Sequence, residues 1–187
     1  AALLSSEIGN SERLVALMAE CRRAGIAVLA PSINRSGVEF GVEETAEGKR
    51  VVRFSLAAIK NVGEAAVQSI VASRDEHGAG VFSSLSDLCD AVDWSTINRR
   101  AIESLARAGA LDDLGERGAV VASLDSVIAA AQKRQRASAR GQMDLFAGAP
   151  TEPAPVAPVA TSAASARELL EWEKDLLGTY MSDHPLS

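Results

Sequence analysis

The sequence has 187 residues, 47% of them hydrophobic, which is enough apolar material for one or two small cores and excludes disorder along the whole length. Aromatic residues make up only 4% and alanine is abundant, a balance that favours helices packed through small side chains over a β-sandwich or barrel. The formal net charge of −6 excludes a uniformly basic nucleic-acid coat, so any phosphate contact has to be local.

The chain opens on Ala1-Ala2-Leu3-Leu4, without a methionine or a cap, and stops at Ser187 where another element could begin, so it is expected to be part of something longer. Asn10 or Ser11 can cap a helix to about Ala24, with Leu14, Leu17, Met18 and Cys21 on one face and Gly25 as its stop. Ile26 to Leu29 is a short apolar run, and residues 38–42 and 51–54 around the polar turn 43–48 predict a small antiparallel β-hairpin.

From Leu56 the pattern becomes a short helical turn, a glycine-closed hairpin at Lys60-Asn61-Val62-Gly63 and a helix to about Ser73. In that turn Gly63 is expected to take a conformation barred to other residues, and the following helix presents free N–H groups. Such a turn can bind a phosphate, reinforced by the helix dipole and Lys60, and would recognise backbone and not sequence. An ordinary helical hairpin closed by glycine fits the same spacing.

Helices are expected over residues 84–91 and 95–108, with Ser95 as the cap of the second. A small-residue turn follows at Ala108-Gly109-Ala110, related to the first but followed by Asp112 and Asp113, which would repel phosphate. Asn98, Arg99 and Arg100 could reach DNA or form a solvated face. The longest helix runs from about Glu116 to Ser138, with Val120, Leu124, Val127, Ile128 and Ala131 on one face. Its basic end, Lys133, Arg134, Arg136 and Arg140, could border a duplex or simply complement the negative end of the helix dipole.

After Gly141 comes the peptide Gln142-Met143-Asp144-Leu145-Phe146, followed by an Ala, Pro, Thr and Ser stretch too poor in large apolar residues to pack. Leu145 and Phe146 are then either exposed anchors for a partner's groove, with the Gln142 amide at its edge, or a local staple on the long helix. A last amphipathic helix spans residues 166–177 with Gly178 as its stop.

Catalytic constellations are not readable. The two histidines, His77 and His184, form no triad or metal motif, and no GxxxxGK[ST] loop occurs. Carboxylate pairs such as Glu43-Glu44 and Asp75-Glu76 fall in turns, where solvated charge suffices as a reason. Cys21 and Cys89 lack metal-site spacing and read as thiols of a reducing compartment. With no apolar run near the roughly 20 residues of a membrane span and no export signal, a cytoplasmic location with no membrane partner is expected.

Several of these stretches resemble the alpha subunits of bacterial DNA polymerase III, the replicative family C polymerases. They include residues 2–4, 20–23, 28–34, 54–63 and 82–88, then Asn98-Arg99-Arg100, residues 105–111, Gly141 to Phe146 and residues 178–186, and they keep the family's order. The resemblance implies a mainly α fold: the end of the fingers with the small β-hairpin (1–54), a tandem helix-hairpin-helix region with the long helix (55–140), a clamp-binding peptide (141–147), a disordered linker (148–164) and a helix leading to an oligonucleotide-binding domain (165–187).

It further implies nonspecific contact with duplex DNA, making Lys60, Asn61, Val62 and Gly63 the first hairpin and Ala108, Gly109 and Ala110 the second. The Gln142 to Phe146 peptide resembles the family's motif for the sliding clamp, the beta subunit. The family's catalytic aspartates, which use a divalent metal such as Mg, belong to regions with no counterpart here, so no catalytic residue and no cofactor is expected in this chain. Other polymerase III holoenzyme subunits are implied as partners through the parent enzyme. The competing reading is a standalone helix-hairpin-helix adaptor that recruits a repair enzyme to DNA.

Overall fold

The structure, a computed structural model, describes residues 1–78, 80–139 and 164–181. A one-turn helix α1 (Ala2–Ser5) leads into α2 (Ser11–Arg23), whose Asn10 cap accepts from the Arg13 N–H at 3.3 Å. Gly25, at φ +70°, ends α2 as expected: its N–H and that of Ile26 close onto the Arg22 and Cys21 carbonyls at 3.0 and 2.9 Å.

Strands β1 (Val28–Leu29), β2 (Gly41–Glu44) and β3 (Arg50–Arg53) form one sheet in the order β1-β3-β2. The expected hairpin is the antiparallel β2–β3 pair, starting at Gly41 and not Val38, while β1 lies parallel on the other side of β3. Val51 and Val52 are buried, and Phe40 meets Phe54 edge-on with ring centroids 5.0 Å apart.

The helical part comprises α3 (Glu64–Glu76), α4 (Leu85–Ala91), α5 (Arg99–Arg107), a 3₁₀ turn (Asp112–Leu114), α6 (Arg117–Ala139) and α7 (Ala166–Leu177). The fold is therefore mainly α, seven α-helices with a small three-stranded sheet among the described residues. Helix α5 begins later than Ser95 suggested. The Asp93 carboxylate takes the Ser95 N–H, its hydroxyl and the Thr96 hydroxyl at 2.7–3.0 Å, so that segment is a side-chain-locked turn and Asn98 becomes the cap.

The long helix agrees with its periodicity: Val120, Leu124, Val127, Ile128 and Ala131 are all buried, on a face packed against α4 and α5. Helix α7 is held by a capping box between Ser165 and Glu168 and stops at Gly178, at φ +74°. Leu176 and Leu177 join the same contiguous core as Leu14, Phe54, Ile59, Ile70, Ile102 and Leu124, so α7 is part of this body. Arg22 fastens the residues after it, donating to Thr179 Oγ1 at 2.9 Å and the Tyr180 carbonyl at 2.7 Å. Among the described residues no helix is long and apolar enough to cross a membrane.

Candidate nucleic-acid interface

Residues 56–62 turn through two i→i+3 backbone bonds, Ile59 to Leu56 and Val62 to Ile59, with Ile59 and Val62 pointing into the core. The residue that takes the left-handed conformation is Asn61, at φ +68°, and not Gly63. Gly63 is extended, at φ −77° and ψ 150°, and a Cβ there would meet nothing within 4 Å. Asparagine is the non-glycine residue that most readily enters this region. Its side chain is used as well, the Asn61 Nδ2 donating to Ser104 Oγ of α5 at 3.3 Å.

Gly63 instead sits at the cap of α3 and leaves that helix N-terminus open. Helices α2, α4, α5 and α7 carry side-chain caps from Asn10, Ser84, Asn98 and Ser165, and the Glu116 carboxylate takes the Gly118 and Ala119 N–H groups at the start of α6. Helix α3 has no side-chain cap bond, and Gly63, Glu64 and Ala65 are exposed. The Glu64 carboxylate bonds Gln68 Nε2 one turn on, at 2.9 Å. Uncapped N–H groups with a helix dipole behind them favour an anion.

Lys60 is anchored twice by α7, its backbone N–H donating to the Leu176 carbonyl at 3.1 Å and its Nζ lying 2.9 Å from Asp175 Oδ1. Beside this pair a cavity of about 190 Å³ is lined by Asn61, Arg100 and Arg107 on one side and Trp172 and Asp175 on the other. The Arg107 guanidinium lies 5.5 Å from the Trp172 ring centroid. Arg107, Trp172 and Asp175 were missed by sequence reasoning. Asp175 is 115 residues from Lys60, and no local pattern announces that α7 folds back onto the hairpin.

The second turn behaves differently from the expectation. Ala108, Gly109 and Ala110 are buried, and the Gly109 and Ala110 N–H groups bond the Ala106 and Leu105 carbonyls at 3.1 and 2.9 Å. This is the double bond of a helix C-terminus closed by a left-handed glycine, φ +83°, so its N–H groups turn inward and present nothing to a phosphate. Asp112 and Asp113 likewise have internal partners. Asp112 pairs with Arg117 at 2.6 Å, and Asp113 accepts the Ser32 hydroxyl at 2.5 Å.

Asn98 caps α5, its side chain accepting the Ala101 N–H at 2.9 Å. Arg99 is committed to Asp125 and Glu103 at 2.5 and 2.6 Å, whereas Arg100 is exposed at the cavity. On α6, Arg134 forms a bidentate pair with Asp90, its Nε donating to Oδ1 at 2.9 Å and its Nη2 to Oδ2 at 2.8 Å, and Lys133 and Arg136 are exposed. Arg140 and the peptide Gln142, Met143, Asp144, Leu145 and Phe146 lie outside the described residues.

A family model described as "Helix-hairpin-helix motif" matches residues 25–120. Over its full length the chain is similar to DNA polymerase III subunit alpha, at 37% identity to that of Pseudomonas aeruginosa, 37% to that of Thermus aquaticus and 34% to that of Escherichia coli. It spans 17%, 14% and 16% of those relatives, about a sixth of their length. The matched residues hold the sheet, the Lys60–Gly63 turn, the Ala108–Ala110 turn and the start of α6, and on that match the chain belongs to the helix-hairpin-helix family.

Proposed function

We propose that this chain is the non-catalytic, DNA-gripping and clamp-tethering segment of a replicative polymerase alpha subunit. The parent enzyme then carries out template-directed DNA synthesis with a divalent metal, Mg, in the cytoplasm. The observation that carries the DNA part is the open N-terminus of α3 next to Lys60 and the left-handed Asn61. Backbone N–H groups and a lysine recognise phosphate irrespective of base, so the expected ligand is duplex DNA without sequence preference.

Among the described residues, Arg100 and Arg107, at the adjoining cavity, and Lys133 and Arg136, exposed on α6, are cations that extend that contact. Asn98, Arg99 and Arg134 are exposed but have partners within the chain, as Lys60 does, and Ala108 to Ala110 face inward; the uncapped start of α3 is what sets residues 60–63 apart. Similarity to polymerase III alpha subunits along the entire chain supports the polymerase reading over a standalone adaptor.

The tether is the peptide Gln142 to Phe146, with Gln142, Leu145 and Phe146 as anchors in the groove of the beta subunit. So few anchors give micromolar-order affinity for the isolated peptide. Joined on one chain, the two modest contacts make each other's rebinding intramolecular and keep the parent enzyme near its primer end. Other holoenzyme subunits are reached through the parent.

Two measurements test the reading separately. Lys60→Ala combined with Gly63→Val should weaken binding to a duplex of arbitrary sequence and flatten its salt dependence; unchanged binding by a folded variant removes the hairpin from the contact. Leu145→Ala with Phe146→Ala should abolish binding to the cognate clamp, and unchanged clamp binding refutes the tether.

A further inference from the structure

We propose that the Asp175 carboxylate occupies the seat of a backbone phosphate at the first hairpin, so that α7 carries a built-in competitor for the duplex. The inference rests on the reading of residues 60–63 as the DNA-contacting turn. A carboxylate oxygen 2.9 Å from the Lys60 ammonium stands where a phosphate oxygen would make the same charge-assisted hydrogen bond.

The placement is set by the backbone as well as by the two side chains. The Lys60 N–H donates to the Leu176 carbonyl at 3.1 Å, and Leu176 and Leu177 are buried in the core, so the neighbouring Asp175 is held facing the hairpin. Yet the pair itself is open to solvent, with the lysine side chain 61% and the aspartate side chain 68% exposed. An exposed pair is weak and can be exchanged without unfolding anything.

The surroundings suit an incoming anion. Arg100 and Arg107 line the adjoining cavity, and the Arg107 Nε is buried without a hydrogen-bond partner. Among the described residues that line the cavity, Arg100 and Arg107 face two carboxylates, Glu103 and Asp175, and Glu103 is already shared between Arg99 and Arg107 at 2.6 and 2.7 Å. Neutralising Asp175 releases Lys60 and raises the positive balance at the turn. A partner or domain that moved α7 would do the same without any change in sequence.

The test is a fluorescence-anisotropy titration of the full chain with a labelled duplex of arbitrary sequence, repeated over a salt series, for the unaltered chain, Asp175→Asn, Lys60→Ala and the double variant. Asp175→Asn should tighten binding about 2- to 5-fold, the range an exposed ion pair supports, and steepen the salt slope by about one ion. That gain should vanish in the Lys60→Ala background. If Lys60→Ala weakens binding but Asp175→Asn changes nothing, or if Asp175→Asn tightens it equally with and without Lys60, the competitor is refuted and the hairpin reading stands. If Lys60→Ala itself leaves binding unchanged, the hairpin reading falls and the competitor with it.

Discussion

The Arg117 guanidinium lies in the space that a side chain on Gly109 would need: a Cβ at Gly109 would come within 2.3 Å of Arg117 Nη2 and 2.8 Å of Cζ. Arg117 cannot move aside freely, because it bonds Asp112 at 2.6 and 3.0 Å and Glu173 at 3.1 Å, and its side chain is 10% exposed. Burial opposes its charge, and the hydrogen bonds and charges of Asp112 and Glu173 outweigh that and hold its pKa above the usual arginine value. Glu173, 1% exposed, uses its other oxygen to accept the Met181 N–H at 2.8 Å. One turn glycine thus permits the ion pair that docks α7.

Gly109→Ala should therefore cost more than a helix-end glycine normally does. The left-handed conformation alone penalises alanine by about 1–2 kcal/mol. Displacing Arg117 from a buried carboxylate adds to this, and truncating one partner of such a pair typically costs about 3–5 kcal/mol. Urea unfolding should show Gly109→Ala destabilised by about 2–4 kcal/mol, and Arg117→Ala at least as much. A loss under about 1 kcal/mol for both would mean that the pair does not hold α7.

The first hairpin makes the opposite prediction about its glycine. With Gly63 extended and open space around its Cβ position, Gly63→Ala should be neutral or stabilise by up to about 1 kcal/mol through the unfolded chain. Asn61→Val should destabilise by about 1–2 kcal/mol, and Asn61→Gly should lose little beyond the Ser104 hydrogen bond. Thermal unfolding of the three variants checks this order. If Gly63→Ala were the most damaging, the left-handed residue would have been misplaced.

These two turns also show what a sequence can and cannot disclose. Helix limits governed by local chemistry were legible: α7 falls on 166–177, and α6 is one residue off at each end. The start of α5 was not, because Asp93 diverts Ser95 into a turn, and β1 was not, because two residues carry no period. A glycine after a helix looks the same whether its neighbours' N–H groups face solvent or close the helix, so Ala108-Gly109-Ala110 read as a second hairpin. Which residue of Lys60-Asn61-Val62-Gly63 goes left-handed depends on Ser104 and α7, both remote in sequence. The arrival of Asp175 and Arg107 at that turn is a tertiary fact with no local trace.

The two cysteines should separate under alkylation. Cys89 is 0% exposed and burial pushes its thiol up to about 12, with Asp90 adding to the rise and Arg134 opposing it. Since the thiolate is the reactive form, native Cys89 should resist iodoacetamide at mildly alkaline pH and react only after denaturation. Cys21 is half-buried on α2 and should label in the native state. Mass spectrometry of native and denatured samples reads both. Native labelling of Cys89 at the rate of Cys21 would contradict the packing of α4 against α6.

Acid should weaken the sheet through one identifiable pair. Arg53 on β3 grips Glu43 on β2 with two bonds of 2.8 Å, and the hydrogen bond from Arg53, opposed by burial and aided by the charges of Arg53 and Arg35, holds the Glu43 carboxyl below its usual 4.5. A carboxyl depressed on folding binds its proton more tightly in the unfolded chain. Its contribution is therefore complete above the unfolded value and is lost as pH falls through the folded one. The charged bidentate bond stabilises by about 1–3 kcal/mol at neutral pH. Glu43→Gln should show that deficit in urea unfolding at about pH 7, and the deficit should shrink steadily on acidification below 4.5, where the unaltered chain loses the same interaction. A deficit that stayed constant down to about pH 3 would assign the loss to packing and not to the charge of Glu43.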